Sequence, residues 1–403
     1  MAQPSRIALL QERGSEQLHL GVLLALFLKE RGYKVSAWVL SCRTELSAIL
    51  ERVLDSPVYN AHPFFFRSEE VLKEFYHQAF RGSDLLLMLG WLGRREGERG
   101  IALEEEALSI CRVLRTPVVP VVDGSSSASV TVSVCEALHR ALRSEPFPVE
   151  GVLFFGLPNP TEYHLVDAGL SRATPWLSLG YLPRSMLLPQ PTHAELVSER
   201  DFALWRMKLK GASGMLSHKG ELFDFALLRA ISLRAPEVPR PAQSPLPDPT
   251  MEPVKVAVAG GEVFCLGFRE NELILRVLGG ELIRVNPYSD PFPAEARAVY
   301  LPDGLWYLRG DFPPRGPFWA GLMRAVSQRR LLLAEGSSLG ILCRGLRWGG
   351  GGASGFGIFG ELLAERGPSS DPREDLVELE ALSNNPLLLF GWRARGLRGR
   401  FSL

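Results

Sequence analysis

The chain has only five cysteines in 403 residues: Cys42, Cys111, Cys135, Cys265 and Cys343. None forms a C-x-x-C pair and their odd number leaves one over in any disulfide scheme, which excludes a disulfide framework and fits a reducing cytoplasm. Net charge is also missing. Lys+Arg and Asp+Glu are both 45, which excludes a protein that holds nucleic acid mainly through phosphate charge. No apolar stretch exceeds Leu20 to Leu28, too short to span a bilayer, and the first residues, MAQPSRIALLQERGS, show no basic region followed by an apolar one. The expectation is therefore neither export nor membrane contact. The seven histidines (His19, His62, His77, His139, His164, His193 and His218) show neither H-x-x-x-H nor H-E-x-x-H spacing, so no zinc site is argued. No histidine follows His218.

What is present is apolar enough to fold. Hydrophobic residues are 46% and charged residues 22%, the composition of a globular protein with room for two domains. From Ala235 to Pro253 the sequence APEVPRPAQSPLPDPTMEP carries seven prolines, which disfavour helix and ladder alike and mark a spacer. Before it, short apolar runs alternate with amphipathic stretches: RIALLQ (6–11), KVSAWVL (34–40), DLLLML (84–89), TPVVPVVD (116–123) and GVLFFG (151–156). Such alternation reads as a doubly wound α/β sheet with parallel strands. Leu20, Leu23, Leu24, Phe27 and Leu28 follow helical spacing as core, with Gly32 placed to end that helix. Further helix is expected within 196–234, most amphipathic over LFDFALLRAISLR (222–234). The alternation resumes in VKVAVAG (254–260), ELIRVNP (281–287), AVYLPDG (298–304) and RLLLAEG (330–336), a second α/β sheet. GGGGASGFGIFG (349–360) reads as a connection between elements.

Several stretches, in this order, resemble the cobyrinic acid a,c-diamide synthase family, ATP-dependent glutamine amidotransferases that amidate tetrapyrrole carboxylates. In the first half these are ERGYKV (30–35), the GWLG of LGWLGRREG (89–97), TPVVPVVD and SLGYLPR (178–184). In the second half AVYLPDG is similar to the family's YLPGG turn, LLLAEGSSLGIL (331–342) to its AECGG strand-to-helix elbow, and NNPLLLFGWRARGLRGRFSL (384–403) to its terminal stretch ending in RGHEFH. The resemblance implies a P-loop-NTPase-like (dethiobiotin-synthetase-like) domain over 1–235, the linker over 236–253, and a class I glutamine-amidotransferase-like α/β domain over 254–403.

The chemistry of that family is not written in these residues. A phosphate loop needs glycine amides, a lysine and a Ser/Thr for Mg²⁺. Where the resemblance places it, this chain has QERGSEQLHL (11–20), and its first lysine is Lys29. Glu12, Gly14, Ser15 and Glu16 form a degenerate nucleotide site, since carboxylates at a helix N-terminus cap the dipole and repel a triphosphate. Aligned family Lys and Asp positions fall on Val39 and Arg43, and a Mg²⁺-associated Glu falls on Leu89. Asp123 survives, and a lone Asp at a strand end is more often a cap or turn residue than a metal ligand. The expectation is that neither ATP nor Mg²⁺ is used.

Glutamine hydrolysis needs a thiolate, a histidine and oxyanion donors. The elbow cysteine is replaced by Gly336, followed by Ser337 and Ser338, and the terminal histidines are replaced at Arg400 and Ser402. Cys343 and Cys265 read as small core residues. GSSLG (336–340) matches the nucleophile-elbow pattern of serine hydrolases and would make Ser338 a nucleophile lacking a local histidine base. What remains is a candidate ligand surface. Arg393, Arg395, Arg398 and Arg400 could pair carboxylates bidentately. Asp303, Gly304, Trp306 and Tyr307 lie on the ligand side that the resemblance implies, with Phe318 and Trp319 as further aromatic candidates. The reading is a diverged, non-catalytic member that takes a carboxylated tetrapyrrole or partners an active amidotransferase or chelatase. A homodimer is compatible with it. The alternatives are an amidating ligase with rebuilt sites and a serine hydrolase.

Overall fold

Strands that are covered on both faces must be apolar at every position, so they are written as continuous runs rather than as alternation. The computed structural model describes residues 5–13, 19–80, 82–96, 100–218, 222–246, 252–309, 316–348, 351–358, 363–366, 376–380, 393–397 and 401–402. They fall into two compact units, Met1–Gln190 with Leu204–Pro245, and Pro191–Ala203 with Leu246–Leu403.

The strands of the first unit are β1 (Ser5–Arg13), β2 (Val35–Val39), β3 (Val58–Asn60), β4 (Leu85–Glu96), β5 (Gly100–Leu103), β6 (Val118–Asp123), β7 (Gly151–Phe155) and β8 (Leu177–Leu182). They form an eight-stranded sheet in the order β3-β2-β4-β1-β6-β7-β8, parallel throughout, with β5 antiparallel on β4. Ile7 to Leu10 and Leu85 to Leu89 are all buried, as both-face coverage requires. Pro120 lies inside β6, a strand with neighbours on both sides, and the register with β7 begins only at Val121, past the residue that has no N–H to give. The helices before the linker are α1 (His19–Glu30), α2 (Thr44–Leu54), α3 (Glu69–Ala79), α4 (Glu105–Leu114), α5 (Ala128–Leu142), α6 (Pro160–Ala173), α7 (His193–Val197), α8 (Glu199–His218) and α9 (Phe225–Ser232), of which α7 and the first residues of α8 belong to the second unit. The apolar face expected for α1 is buried, and Gly32 ends the helix at φ +86°, with the Tyr33 amide closing onto Leu28 O at 3.2 Å.

The proline-rich segment is not free at its start. Arg6, 1% exposed, donates to Leu114 O at 2.6 Å and also to Pro236 O. Val238 is buried and its carbonyl meets His77 Nε2 at 3.1 Å. The chain after α9 is thus fastened to the first strand and to α3 and α4.

The second unit has β9 (Val254–Ala259), β10 (Gly280–Val285), β11 (Ala298–Leu301) and β12 (Leu331–Ala334), a parallel sheet in the order β10-β9-β11-β12. Its helices are α10 (Arg269–Val277), α11 (Pro317–Ser327) and α12 (Leu339–Leu342). Val256, Val258, Ala298 and Tyr300 form a core on this sheet. Further on come β13 (Gly345–Trp348), β14 (Gly351–Ser354), β15 (Leu363–Arg366), β16 (Leu376–Glu380), β17 (Arg393–Leu397) and β18 (Phe401–Ser402). They make a sheet β14-β13-β15-β18 and an antiparallel ribbon β16-β17. The glycine-rich stretch is therefore partly strand, because Gly351–Ser354 pairs antiparallel with β13 and does not serve as a mere connection. Among the described residues no helix is long and apolar enough to cross a membrane.

Candidate functional site

Because β11 and β12 are parallel neighbours in register, the turns that leave their C-terminal ends meet. The turn after β11 is Pro302-Asp303-Gly304, and the turn after β12 is Glu335-Gly336-Ser337-Ser338, leading into α12. Gly336 takes φ +53°, a left-handed conformation that favours glycine. Asp303 Oδ1 accepts from the Gly304 amide at 2.7 Å and from the Ser337 amide at 2.8 Å. Ser337 Oγ donates to Gly304 O at 2.6 Å, and Ser338 Oγ donates to Pro302 O at 2.6 Å. Trp306 Nε1 donates to Ser337 O at 3.1 Å. Gly304 is required by contact, since a Cβ there would stand 2.0 Å from Val263 O.

Beside this elbow lies a half-buried polar group around the buried Tyr300. Tyr300 donates to Glu335 Oε2 at 2.5 Å and Asn271 Nδ2 to Glu335 Oε1 at 2.8 Å. Burial, and then the charge of Asp303, push the Glu335 carboxyl above the usual carboxylate range, against the two hydrogen bonds that favour its ionised form. Burial likewise pushes the Tyr300 phenol far up. Glu272, 4% exposed, is held by Arg269 and by Arg284, the latter at 2.6 Å.

Neither serine hydroxyl is set up as a nucleophile. Both are buried and donate to main-chain carbonyls. The second unit does contain one histidine, which the sequence reading placed with the first domain because it precedes the linker. His193 arrives with Pro191–Ala203, and its helix α7 packs on the turn Trp306–Leu308. Trp306, Tyr307, Phe318 and Trp319 are all buried, at 0%, 5%, 0% and 2% exposure, so they are built into the core. Cys343 is buried at the end of α12, and Cys265 is partly exposed. Of the tail arginines, the register sets Arg393 opposite Glu380 and Arg395 opposite Glu378 in the β16-β17 ribbon. Arg398 and Arg400 lie outside the described residues, and Ser402 is in β18.

In the first unit Glu12 is buried near the end of β1, after a register shift against β4. Gly14, Ser15 and Glu16 lie outside the described residues. Asp123 Oδ1 accepts from the Ser125 amide at 2.8 Å, a local turn contact. Lys29 sits in the last turn of α1 and bonds Asp55 Oδ2 at 2.5 Å and Val53 O at 3.1 Å, so it is committed at the end of the helix away from any phosphate loop. Val39 and Leu89 are core and Arg43 is exposed. Among the described residues, Lys29 and Asp123 are committed to contacts within the chain and are not arranged as ligands of a Mg²⁺-nucleotide. Among the described residues no group of three or more His, Cys, Asp or Glu side chains could hold a metal ion.

No family model matches the chain. A cobyrinate a,c-diamide synthase of Gloeobacter violaceus is 27% identical over 289 residues, covering 70% of this chain and 61% of that protein. One from Listeria monocytogenes is 24% identical over 341 residues, covering 83% and 71%. A hydrogenobyrinate a,c-diamide synthase of Mycobacterium tuberculosis is 25% identical over 288 residues, covering 69% and 60%. The chain is thus similar in sequence to the cobyrinate and hydrogenobyrinate a,c-diamide synthases. It spans less than two thirds of the length of the Gloeobacter and Mycobacterium relatives. Among solved structures, the GDP complex of the signal recognition particle receptor FtsY from Elizabethkingia anophelis aligns with 45% of this chain and 57% of its own, at 15% identity and a TM-score of 0.32, too distant to carry an argument. In this chain the β11 turn and the β12 elbow are locked to each other by side chain and backbone.

Proposed function

We propose that this chain is a non-catalytic member of the cobyrinate a,c-diamide synthase family, acting in the cytoplasm in cobalamin or related tetrapyrrole metabolism by binding a carboxylated tetrapyrrole. The observation that carries the reading is the elbow. Gly336 offers no nucleophile, and the neighbouring hydroxyls of Ser337 and Ser338 are spent on main-chain carbonyls. Supporting it in the first unit, Lys29 is tied to Asp55 and Asp123 to its own turn. The ligand class comes from the relatives' substrate, cobyrinate or hydrogenobyrinate by their names.

The charge for such a ligand is assigned to the C-terminal arginines. Arg393 and Arg395 stand opposite glutamates in the ribbon register, which leaves Arg398 and Arg400 as the pair expected to matter most. A charge-assisted hydrogen bond is worth about 1.5–3 kcal/mol when desolvated, roughly ten- to a hundredfold in affinity. The test is a Soret-band titration with sirohydrochlorin, cobyrinic acid and haem at two salt concentrations, for wild type and for Arg398→Ala/Arg400→Ala. Saturable spectral shifts that weaken in the variant are expected. No shift with any of the three would end the ligand reading and leave association with an active amidotransferase or chelatase to be sought by co-purification. Unchanged affinity in the variant would remove these arginines from it.

A further inference from the structure

Arg6 is 1% exposed, and its Nη2 donates to Leu114 O at 2.6 Å and to Pro236 O. Those carbonyls bring no countercharge, and among the described residues no carboxylate pairs with the guanidinium. Burial pushes the neighbouring Cys111 thiol far up and raises the Tyr76 phenol, so both stay protonated and neutral. A buried charge left in that state is costly. Three donors on neighbouring residues also have no acceptor: Arg6 Nε, the Tyr76 hydroxyl and Thr116 Oγ1, with Tyr76 at 1% and Thr116 at 0% exposure. Tyr76 lies against the guanidinium, whose carbon stands 5.6 Å from the ring centre. Thr116 lies between two residues bonded to β1, since Leu114 O takes Arg6 and Pro117 O takes the Ala8 amide at 2.9 Å. Buried polar atoms are nearly always paired, so donors gathered round one unneutralised cation call for a shared acceptor. The cluster sits where β1 and β6 begin, at the end of the parallel sheet opposite to the carboxyl ends at which such sheets take their substrates.

We infer that Arg6, Tyr76 and Thr116 form a binding site for a small monovalent anion of the chloride class, inside the first unit beside the start of the proline-rich segment. An anion suits the site better than water because it accepts from all three donors and cancels the guanidinium charge, whereas water cancels nothing. One guanidinium balances one negative charge, so a divalent oxyanion would bring an excess charge into a buried site. The same guanidinium holds Pro236 O, so the anion also steadies the point where the proline-rich segment is fastened. The inference rests on the first unit's β1 end alone, and its failure would leave the tetrapyrrole reading untouched.

The experiment follows the melting temperature of the full-length protein as chloride replaces gluconate at constant ionic strength. Wild type is expected to gain stability saturably, because a ligand held by the folded state alone stabilises it by mass action. The double variant Tyr76→Phe/Thr116→Val removes two donors and leaves Arg6 in place. It is expected to need roughly tenfold more chloride for the same gain. No chloride dependence in wild type would overturn the inference and give the donors to water, and an equal response in both proteins would overturn it by putting the anion elsewhere. Should the variant not fold, wild-type crystals soaked in sodium bromide decide the matter. An anomalous peak in contact with Arg6 Nε is expected, and its absence in crystals that carry bromide at surface sites would overturn the inference.

Discussion

Tyr300 donates its phenolic proton to Glu335 Oε2 at 2.5 Å, linking the end of β11 to the residue just past β12 in the interior of the second unit. Tyr300 is buried and Glu335 half-buried, and desolvation of the carboxyl together with the Asp303 charge raises the Glu335 pKa above its ordinary value. The folded protein therefore keeps a proton that the unfolded chain gives up. Stability from this group is full below the unfolded carboxylate range and is lost as pH rises through the folded value.

Glu335→Gln cannot ionise, so it should flatten the fall in stability from acid to neutral pH. At neutral pH its melting temperature should equal or exceed that of wild type. Urea melts of both proteins across that range check this. Identical pH slopes would contradict it.

Gly336→Cys would put back a thiol at the elbow, but the chain no longer has room for it. Its Cβ would meet the Asp303 carboxyl, and φ of +53° adds strain for any L side chain. A loss of about 2 kcal/mol or more is expected from the two effects. No ammonia should be released from glutamine by the variant, which chemical denaturation and a coupled ammonia assay would check.

Arg6→Met should loosen the start of the proline-rich segment, because Arg6 is the donor to Pro236 O and Leu114 O. The cost is about 1–3 kcal/mol, the two carbonyls being left without their charged donor. Limited proteolysis should cut between 236 and 246 faster in the variant. Equal cleavage rates would show that Val238 and its neighbours hold the segment unaided.

The sheets were legible in the sequence to the extent that burial was two-sided. RIALLQ, DLLLML, TPVVPVVD and GVLFFG all became strands, since a covered parallel strand has no polar face to hide its run. The three-residue β3 and the glycine-bearing β14 carry too few apolar side chains to be seen that way. At the elbow, Gly336, Ser337, Ser338, Asp303 and Gly304 were all marked by the resemblance. That Asp303 closes on Ser337 was not legible, because the contact joins turns 34 residues apart and exists only once β11 and β12 pair. His193 was read as part of the first domain because it precedes the linker, and the structure gives it to the second unit.

Calorimetry with a nonhydrolysable ATP analogue and Mg²⁺ should give no micromolar affinity. Lys29, the first lysine of the chain, is bonded to Asp55 and Val53 O, and without a loop lysine the triphosphate loses the main counterpart for its charge. A tight, Mg²⁺-dependent isotherm would show that another cationic group has taken over the site.

The most direct test of the whole account incubates the protein with cobyrinic acid, glutamine and Mg²⁺-ATP, and follows both ammonia or glutamate release and the mass of the corrinoid. The account predicts unchanged glutamine and an unchanged corrinoid mass, alongside a saturable Soret shift on mixing. A mono- or diamide product formed at a rate proportional to protein concentration would contradict it, and would identify the chain as an amidating ligase with rebuilt sites.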